Sequence, residues 1–285
     1  IIEVGLGGRL DSTNIISPEL DVITNISKDH CAQLGDTLRE IAHEKAGIMR
    51  ESIACICGEP SEEIRGYLAE EARAHHTPLR FAQEEIPQAS FRHIGNELII
   101  GHTPFGTLNY QLTAEYQHEN ALTVMAAILQ LRRQGWNIPD NAVKSGFAGV
   151  CTLTGLAGRW MKLADSPLTI ADTGHNIGGW LHLAPLIAAL PKPLTVVLGF
   201  ADDKDTLDIL RLLPADADYI ATQADIPRAR NAEKLACQLR EAGLKARPVA
   251  GVKRAFDEAR AQTPAEGAVF VGGSTYVIAD LLKLL

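Results

Sequence analysis

The sequence predicts an α/β protein in which a first α/β region precedes a smaller domain built on a parallel sheet. Beyond residue 160, short apolar runs alternate with helix-type segments, which is typical of parallel strands joined by crossover helices. The composition also changes there, because a Gly- and Thr-rich connector occupies residues 152–159. We therefore place the two domains at 1–160 and 161–285.

In the first domain, apolar and β-branched runs predict strands at 1–4, 21–26 and 52–57. A helix is expected from Asp36, whose side chain can cap it, to Gly47, where the helical pattern weakens. Helical spacing predicts further helices at 62–76, 116–133 and 141–150, with short β-strands between 80 and 112.

In the second domain, the same reasoning assigns strands and helices in alternation. The predicted strands are 168–171, 194–198, 219–222, 246–249 and 268–271. The predicted helices are 178–190, 206–213, 232–242 and 276–284.

Composition excludes several classes of protein. The chain has 285 residues, of which 46% are hydrophobic and 22% charged, so it buries an ordinary globular core. Its net charge is −8 with scattered Lys and Arg, which argues against a nucleic-acid-binding surface. No apolar stretch is long enough for a membrane span, and the five cysteines lack metal or redox spacing, so we expect free thiols in a cytoplasmic protein.

Polar clusters follow several of the predicted strands, at the sheet edge where parallel α/β proteins bind ligands. They are Glu3, Asp29-His30, and the stretches 172–176, 202–205 and 272–274. One ligand site would explain all of them together. The glycines at 5, 7 and 8 could instead suggest dinucleotide binding, but Leu10 stands where the third glycine of that motif belongs, so an oxidoreductase is disfavoured.

Ten short blocks of the chain resemble, in order and spacing, the bacterial folylpolyglutamate synthases and dihydrofolate synthases of the Mur ligase superfamily. The blocks are EVGLGGRLDSTN at 3–14, DH at 29–30, LGDTL at 34–38, IAHEKAGI at 41–48, YQHENA at 116–121, GLAGRW at 155–160, DTGHN at 172–176, DKD at 203–205, PRA at 227–229 and GGS at 272–274. The first block and the EKAGI sequence are specific to this family.

This resemblance implies a fold and a reaction. Residues 1–160 would be the C-terminal part of a P-loop-type central ATPase domain, and residues 161–285 a Rossmann-like domain that binds glutamate. Such enzymes use ATP and magnesium to join L-glutamate to the carboxylate of a folate or dihydropteroate through an acyl phosphate, and they are typically monomers. The sequence does not distinguish between these two acceptors.

The resemblance assigns a metal site to Glu3, His30 and Lys45. Lys45 would be carbamylated and catalytic, which turns a cation into an oxygen donor and requires a partly buried or less basic amine. Asp29 would orient His30. Without the motifs, His30 would be read as a loop residue that caps a helix and Lys45 as a surface residue.

The resemblance also assigns nucleotide and amino-acid contacts. Asn120 would bind adenine, Arg159 an ATP phosphate and Asp172 the ribose; the structural alternatives are a helix-start amide for Asn120 and a salt bridge for Arg159. His175 and Ser274 would hold glutamate, with His175 also near the transferred phosphate and Ser274 equally suited to cap the last helix. Lys204 is a weaker candidate, which pairing with its acidic neighbours would also explain.

Two other functions remain open. One is a Mur-type ligase that adds an amino acid to a peptidoglycan precursor, against which the GLGGRLD and EKAGI sequences argue. The other is a non-catalytic remnant that binds a metabolite.

The family's phosphate-binding Gly-Lys-Ser turn occurs nowhere in these 285 residues. The sequence starts without Met on a strand-type run, so we expect that the turn lies upstream. We therefore predict that the 285 residues alone bind ATP poorly and have no ligase activity. ATP-dependent addition of glutamate by a purified protein of this length would contradict that.

Overall fold

A computed structural model describes residues 1–59, 61–94, 97–202 and 206–284, which form two compact units, Ile1–Gly155 and Leu156–Leu285. The division falls five residues before the boundary expected at 160, directly after the helix that ends at Thr154. Across the described residues, no helix combines the length and the apolar character that a membrane span requires.

The first unit contains two sheets and six helices within its described residues. The parallel sheet has the order β1-β2-β3, with β1 at Asp21–Asn25, β2 at Cys55–Glu59 and β3 at Leu79–Phe81; the antiparallel sheet has the order β4-β5-β6, at Ser90–Ile94, Glu97–Thr103 and Gly106–Tyr110. The helices are α1 at Cys31–Leu34, α2 at Leu38–Ala46, α3 at Glu62–Ala74, α4 at Ala82–Glu85, α5 at Gln117–Arg133 and α6 at Asp140–Thr154.

Strand β2 is buried on both faces, so it joins two apolar cores. Cys55 and Cys57 share one face and pack in the core formed with α2 and α3, as their spacing predicts. Ile56 points to the opposite face, where it packs with α5, α6 and the antiparallel sheet. Both thiols are inaccessible in this position, and burial raises the pKa of Cys57 to about 12.

The second unit has a six-stranded sheet in the order β11-β10-β9-β12-β8-β7. Its strands are β7 at Met161–Asp165, β8 at Leu168–Ala171, β9 at Leu194–Leu198, β10 at Ala217–Ala221, β11 at Lys245–Pro248 and β12 at Ala268–Gly272. Its helices are α7 at Ile177–Ala188, α8 at Leu207–Leu212, α9 at Ala232–Glu241, α10 at Val252–Gln262 and α11 at Thr275–Leu282. Helices α10 and α11 pack against one apolar face of this sheet.

The prediction of a mixed α/β fold with parallel sheets is confirmed, but several details were wrong or missing. Residues 1–4 are not a strand, since no described strand pairs with their backbone. Strand β7 was not predicted, and it runs antiparallel to β8, so the second sheet is not wholly parallel. Helix α10 was also missed, although Val252, Ala255, Phe256 and Ala259 carry its buried stripe.

The cap of α2 is a further difference. Thr37, and not Asp36, caps the helix: its hydroxyl accepts the N–H of Glu40 at 3.2 Å. The Glu40 carboxylate in turn accepts the N–H of Thr37 at 2.9 Å, which completes a capping box. This arrangement fixes where α2 begins.

We predict that Thr37→Ala lowers the free energy of unfolding by about 1 kcal/mol, because the substitution leaves the N–H of Glu40 without its acceptor. Urea unfolding of the two proteins measures the difference. Thr37→Ser keeps the hydroxyl and is expected to retain most of the stability; equal losses in both variants would show that the cap is not the cause.

Candidate functional sites

The glycine-rich segment at 5–9 forms a turn that lies directly against the C-terminal end of α2. Gly7 has a φ of 67°, a left-handed conformation that favours glycine. A Cβ on Gly8 would lie 2.9 Å from the carbonyl oxygen of Glu44 and 3.1 Å from that of Lys45. The turn can therefore approach this part of the helix only with glycine at position 8.

Hydrogen bonds join the same two segments. The backbone N–H of Arg9 donates to the Glu44 carbonyl at 2.8 Å, and the Arg9 guanidinium contacts the Glu44 carboxylate at 2.8 Å. The Asn14 amide donates to the carbonyls of Arg9 at 3.1 Å and Gly47 at 3.0 Å. Arg50 then donates to the backbone and side-chain oxygens of Asn14 at 2.8 and 2.6 Å. We call this set of contacts the motif joint.

Asp11 stabilises the turn from within. Its carboxylate accepts the hydroxyl of Thr13 at 2.6 Å, the N–H of Thr13 at 2.9 Å and the N–H of Leu6 at 2.9 Å. These donors lower the pKa of Asp11 to about 2. Asp11, Asn14 and Arg50 were given no role from the sequence, although the first two lie within its most specific block.

His30 and Asp29 lie together at the start of α1. His30 precedes the helix in a left-handed conformation with a φ of 51°. The Asp29 carboxylate accepts the His30 backbone N–H at 2.8 Å and lies 3.8 Å from the His30 Nε2 atom. His30 gives α1 no side-chain cap, so the capping alternative is not supported.

Lys45 is partly buried in the last turn of α2, next to the motif joint. Burial lowers the pKa of its amine, and the negative charge of Asp29 opposes this shift. The structure therefore brings Lys45 into the electrostatic range of Asp29, which itself contacts His30. A partly buried amine with a lowered pKa has the property that carbamylation requires.

Glu3 lies in the irregular segment before the glycine turn, and its side chain is exposed. Within the described residues, no three His, Cys, Asp or Glu side chains come together closely enough to hold a metal ion. Of the three predicted metal ligands, Glu3 and His30 are of these types, and carbamylation of Lys45 would add further oxygen donors. Carboxylate and carbamate oxygens suit magnesium, so the donor chemistry fits this ion.

Asn120 lies one turn into α5, near the carboxyl end of β2. Its amide donates to the Gln117 side chain at 3.0 Å, and Gln117 is buried. Thr123, about one turn further along the helix, lies against Gly58 of β2, where a Cβ would come within 2.8 Å of its hydroxyl. The Asn120 amide thus bonds to a neighbouring side chain and not to the local backbone.

In the second unit, Asp172 and His175 follow the carboxyl end of β8, and Ser274 follows that of β12. From β9 the chain proceeds outward to β10 and β11, then returns to place β12 on the other side of β9. This reversal is a topological switch point, where open α/β sheets form a ligand crevice. Glycines let the strand ends approach: a Cβ on Gly273, whose φ is 96°, would lie 2.7 Å from the Gly199 carbonyl oxygen.

Asp172 is 2% exposed and accepts backbone N–H groups on both carboxylate oxygens. The donors are Trp160 at 2.6 Å and Gly174 at 2.8 Å. Arg159, beside Trp160, donates to the hydroxyl of Thr173, and the Thr173 N–H donates to Gly158 at 2.9 Å. Asp172 therefore connects the segment before β7 to the end of β8.

His175 and Ser274 lie at two neighbouring strand ends of this sheet. His175 is half-buried, with Nδ1 3.2 Å from the Thr173 carbonyl oxygen. Ser274 caps α11 by accepting the Tyr276 N–H at 3.2 Å, as the structural alternative predicted. Asn176 caps α7 in the same way, accepting the Gly179 N–H at 2.8 Å.

The eight predicted site residues thus divide between the two units. Glu3, His30, Lys45 and Asn120 belong to the first, and Arg159, Asp172, His175 and Ser274 to the second. Lys204 and its acidic neighbours at 203 and 205 lie outside the described residues.

Curated relatives match the chain over its whole length. Dihydrofolate synthase/folylpolyglutamate synthase of Bacillus subtilis (strain 168) is 30% identical over 302 residues, which cover 100% of this chain and 67% of that protein. The chain belongs to this family. The Escherichia coli (strain K12) protein of the same name is 32% identical over 288 residues, covering 100% of this chain and 64% of the relative. A comparison with models of protein families gave no match.

Solved structures of folylpolyglutamate synthases agree with this membership. The structure of Escherichia coli FolC in complex with DHPP and ADP superposes with a TM-score of 0.81 at 31% identity, over 99% of this chain and 64% of that one. Mycobacterium tuberculosis folylpolyglutamate synthase complexed with ADP and AMPPCP gives a TM-score of 0.83 at 26% identity, over 99% and 67%. The chain therefore spans about two thirds of the length of these family members.

We predict that Gly47→Ala destabilises this folylpolyglutamate synthase family member by about 1–3 kcal/mol, because overpacking at the motif joint forces the backbone apart. The new Cβ would lie 2.2 Å from the Cβ of Arg9, although the φ of Gly47, −61°, suits alanine. Urea unfolding measures the loss.

Gly66→Ala is the matched control, because Gly66 lies within α3 and a Cβ there meets nothing within 4 Å. This variant is expected to gain about 0.5–1 kcal/mol from helix propensity. A Gly47→Ala protein as stable as the parent would refute the close contact at the joint.

Proposed function

We propose that the protein containing this chain is an ATP-dependent ligase that joins the amino group of L-glutamate to the carboxylate of a folate or dihydropteroate. The observation that carries the proposal is the motif joint, where the two family-specific blocks meet around Lys45. The names of the matching relatives support the same chemistry.

In this reaction the acceptor carboxylate attacks the γ-phosphorus of ATP, forming an acyl phosphate and releasing ADP. The glutamate amine then attacks the carbonyl carbon of the acyl phosphate, and inorganic phosphate leaves with the bonding electrons. The amine loses a proton as the amide forms. Magnesium, when bound, neutralises phosphate charge during the transfer.

Glu3, His30 and carbamylated Lys45 are the proposed metal-holding residues of the first unit. The partial burial of Lys45 supports carbamylation, because a neutral amine is needed to capture carbon dioxide. The resulting carbamate is anionic and forms oxygen contacts that an ammonium group cannot. Asp29 would keep His30 oriented through the contacts described above.

Asn120, Arg159 and Asp172 are the proposed nucleotide contacts, for adenine, phosphate and ribose respectively. The Arg159 guanidinium has a planar fork of donors that suits phosphate oxygens. Asp172 accepts a backbone N–H on each carboxylate oxygen, so a ribose hydroxyl would have to share acceptors that already have partners. His175 and Ser274 would hold glutamate, with His175 closer to the transferred phosphate.

The same proposal covers the organisation and surroundings of the protein. The first unit would be the later part of a P-loop-type ATPase domain, and the second a Rossmann-like glutamate domain. The protein would be a cytoplasmic monomer that binds small molecules and neither nucleic acid nor membranes. The net charge of −8 supports the exclusion of nucleic acid.

The direct test is incorporation of radiolabelled L-glutamate by the complete protein that contains this chain. We expect ATP-dependent labelling of dihydropteroate, tetrahydrofolate or both, with one ADP released per amide formed. Parallel assays with each acceptor distinguish the two activities. Absence of labelling with either acceptor would overturn the proposal, and labelling of a nucleotide-linked peptidoglycan precursor would favour the Mur-type alternative.

For Lys45 we predict that Lys45→Ala lowers kcat at least about 100-fold, because it removes a carboxylate-like group next to the reacting phosphate. Added propionate, which can occupy the vacated space, is expected to restore part of the activity. Lys253→Ala removes an exposed lysine paired with Asp257 and should leave kcat unchanged. Loss without any rescue by short carboxylates would indicate that Lys45 acts as a cation and is not carbamylated.

A further inference from the structure

Arg228 and Tyr276 form a contact pair at the sheet edge of the second unit, and neither has an assigned role. The Arg228 guanidinium donates a hydrogen bond to the Tyr276 hydroxyl, and its central carbon lies 4.8 Å from the centre of the tyrosine ring. Arg228 is exposed, and Tyr276 is 37% exposed. The pair thus presents an ordered positive group to ligands.

Among the described residues, no carboxylate neutralises Arg228. Asp202 lies on the adjoining loop, and its backbone N–H donates to the Arg228 carbonyl at 2.9 Å. Its carboxylate, however, contacts Lys234 at 2.7 Å and Arg230 at 3.6 Å. Within the part of the chain that the structure describes, the guanidinium is therefore held by a tyrosine and not by an acid.

Tyr276 connects Arg228 to Ser274. The Tyr276 N–H donates to the Ser274 hydroxyl oxygen, which is thereby oriented at the start of α11. A hydroxyl that accepts one hydrogen bond still has its own O–H to donate. Ser274 and Arg228 can therefore act on one ligand at this end of α11, where the helix dipole also favours negative charge.

The order of the strands predicts how a ligand bound at this sheet edge would be oriented. His175 follows β8, Ser274 follows β12, which is next to β8, and Arg228 follows β10, two strands beyond β12. Neighbouring strands are roughly 4.8 Å apart. A ligand held by all three residues would therefore extend along the sheet edge, with one end near His175 and the other near Arg228.

We infer that Arg228, held by Tyr276, binds the side-chain carboxylate of the amino-acid substrate and so selects glutamate over neutral amino acids. This inference rests on the proposed function, in which the substrate amine must reach the acyl phosphate near His175. The side-chain carboxylate is the charged group of glutamate furthest from that amine. Arg228 follows β10, which lies on the other side of β12 from β8, so its side chain can approach that carboxylate from the side opposite His175.

The test compares Arg228→Gln with the parent in the complete protein. The KM for L-glutamate is expected to rise about 10- to 100-fold, the effect of losing a hydrogen bond to a charged group, with the KM for ATP unchanged. The preference for glutamate over glutamine, measured as the ratio of kcat/KM values, is expected to fall by a similar factor. Arg228→Lys keeps the charge without the planar fork and should lie between the two.

Tyr276→Phe keeps the ring beneath the guanidinium but removes the hydroxyl, so a smaller rise in KM for glutamate is expected. Arg254→Gln is the control for removing a positive charge, because Arg254 is an exposed residue of α10 paired with Glu258. This variant should keep the parent KM. Thermal melting of each variant checks that the fold is retained.

Two results would overturn the inference. One is a KM for glutamate within about twofold of the parent in Arg228→Gln; the other is an equal loss with glutamate and glutamine, which would assign Arg228 to a group that both share. Either result leaves the ligase activity of the parent intact. If the parent itself adds no glutamate, the proposed function fails instead.

Discussion

The motif joint is the constraint on which the first unit depends. A turn of the chain is seated against the end of α2 at distances that admit no side chain at Gly8 or Gly47. Once the turn is seated, Arg9 and Asn14 satisfy carbonyl groups of the last helical turn, which otherwise have no partner within the helix. The segment that carries Glu3 and the turn that carries Lys45 are thereby fixed to each other. Neither position could vary without breaking several hydrogen bonds at once.

The second unit reaches a similar result with the buried side chain of Asp172. The Asp172 carboxylate is stable inside the protein because a backbone N–H donates to each of its oxygens. That solution ties the chain before β7 to the end of β8, so Arg159 and His175 are placed from one anchor. In both units, polar groups of the motifs use some of their hydrogen-bonding atoms to hold the backbone in place. The remainder is what a ligand can use.

Much of the fold could be predicted because its signals are local. Strand β9 is a continuous apolar run and was predicted with its observed bounds, 194–198. Helix α10 was missed although its buried apolar stripe is equally local. It could have been expected from the fold as well, because β11 and β12 are parallel strands close in sequence, and parallel strands of one sheet need a crossover connection between them. Residues 1–4 were assigned wrongly for the opposite reason. Their composition suits a strand, but a strand also needs a partner, which composition cannot report.

The sites were less predictable, because the contacts that build them connect residues far apart in sequence. Asn14 bonds to a residue 33 positions away, and Arg228 to one 48 positions away. A motif shows that such residues belong together without showing what each one contacts. The resemblance could therefore assign roles to Lys45 and Ser274 but not explain why arginine stands at position 228. Its reason becomes visible only once the tyrosine that orients it and the acids already bound to other cations are known.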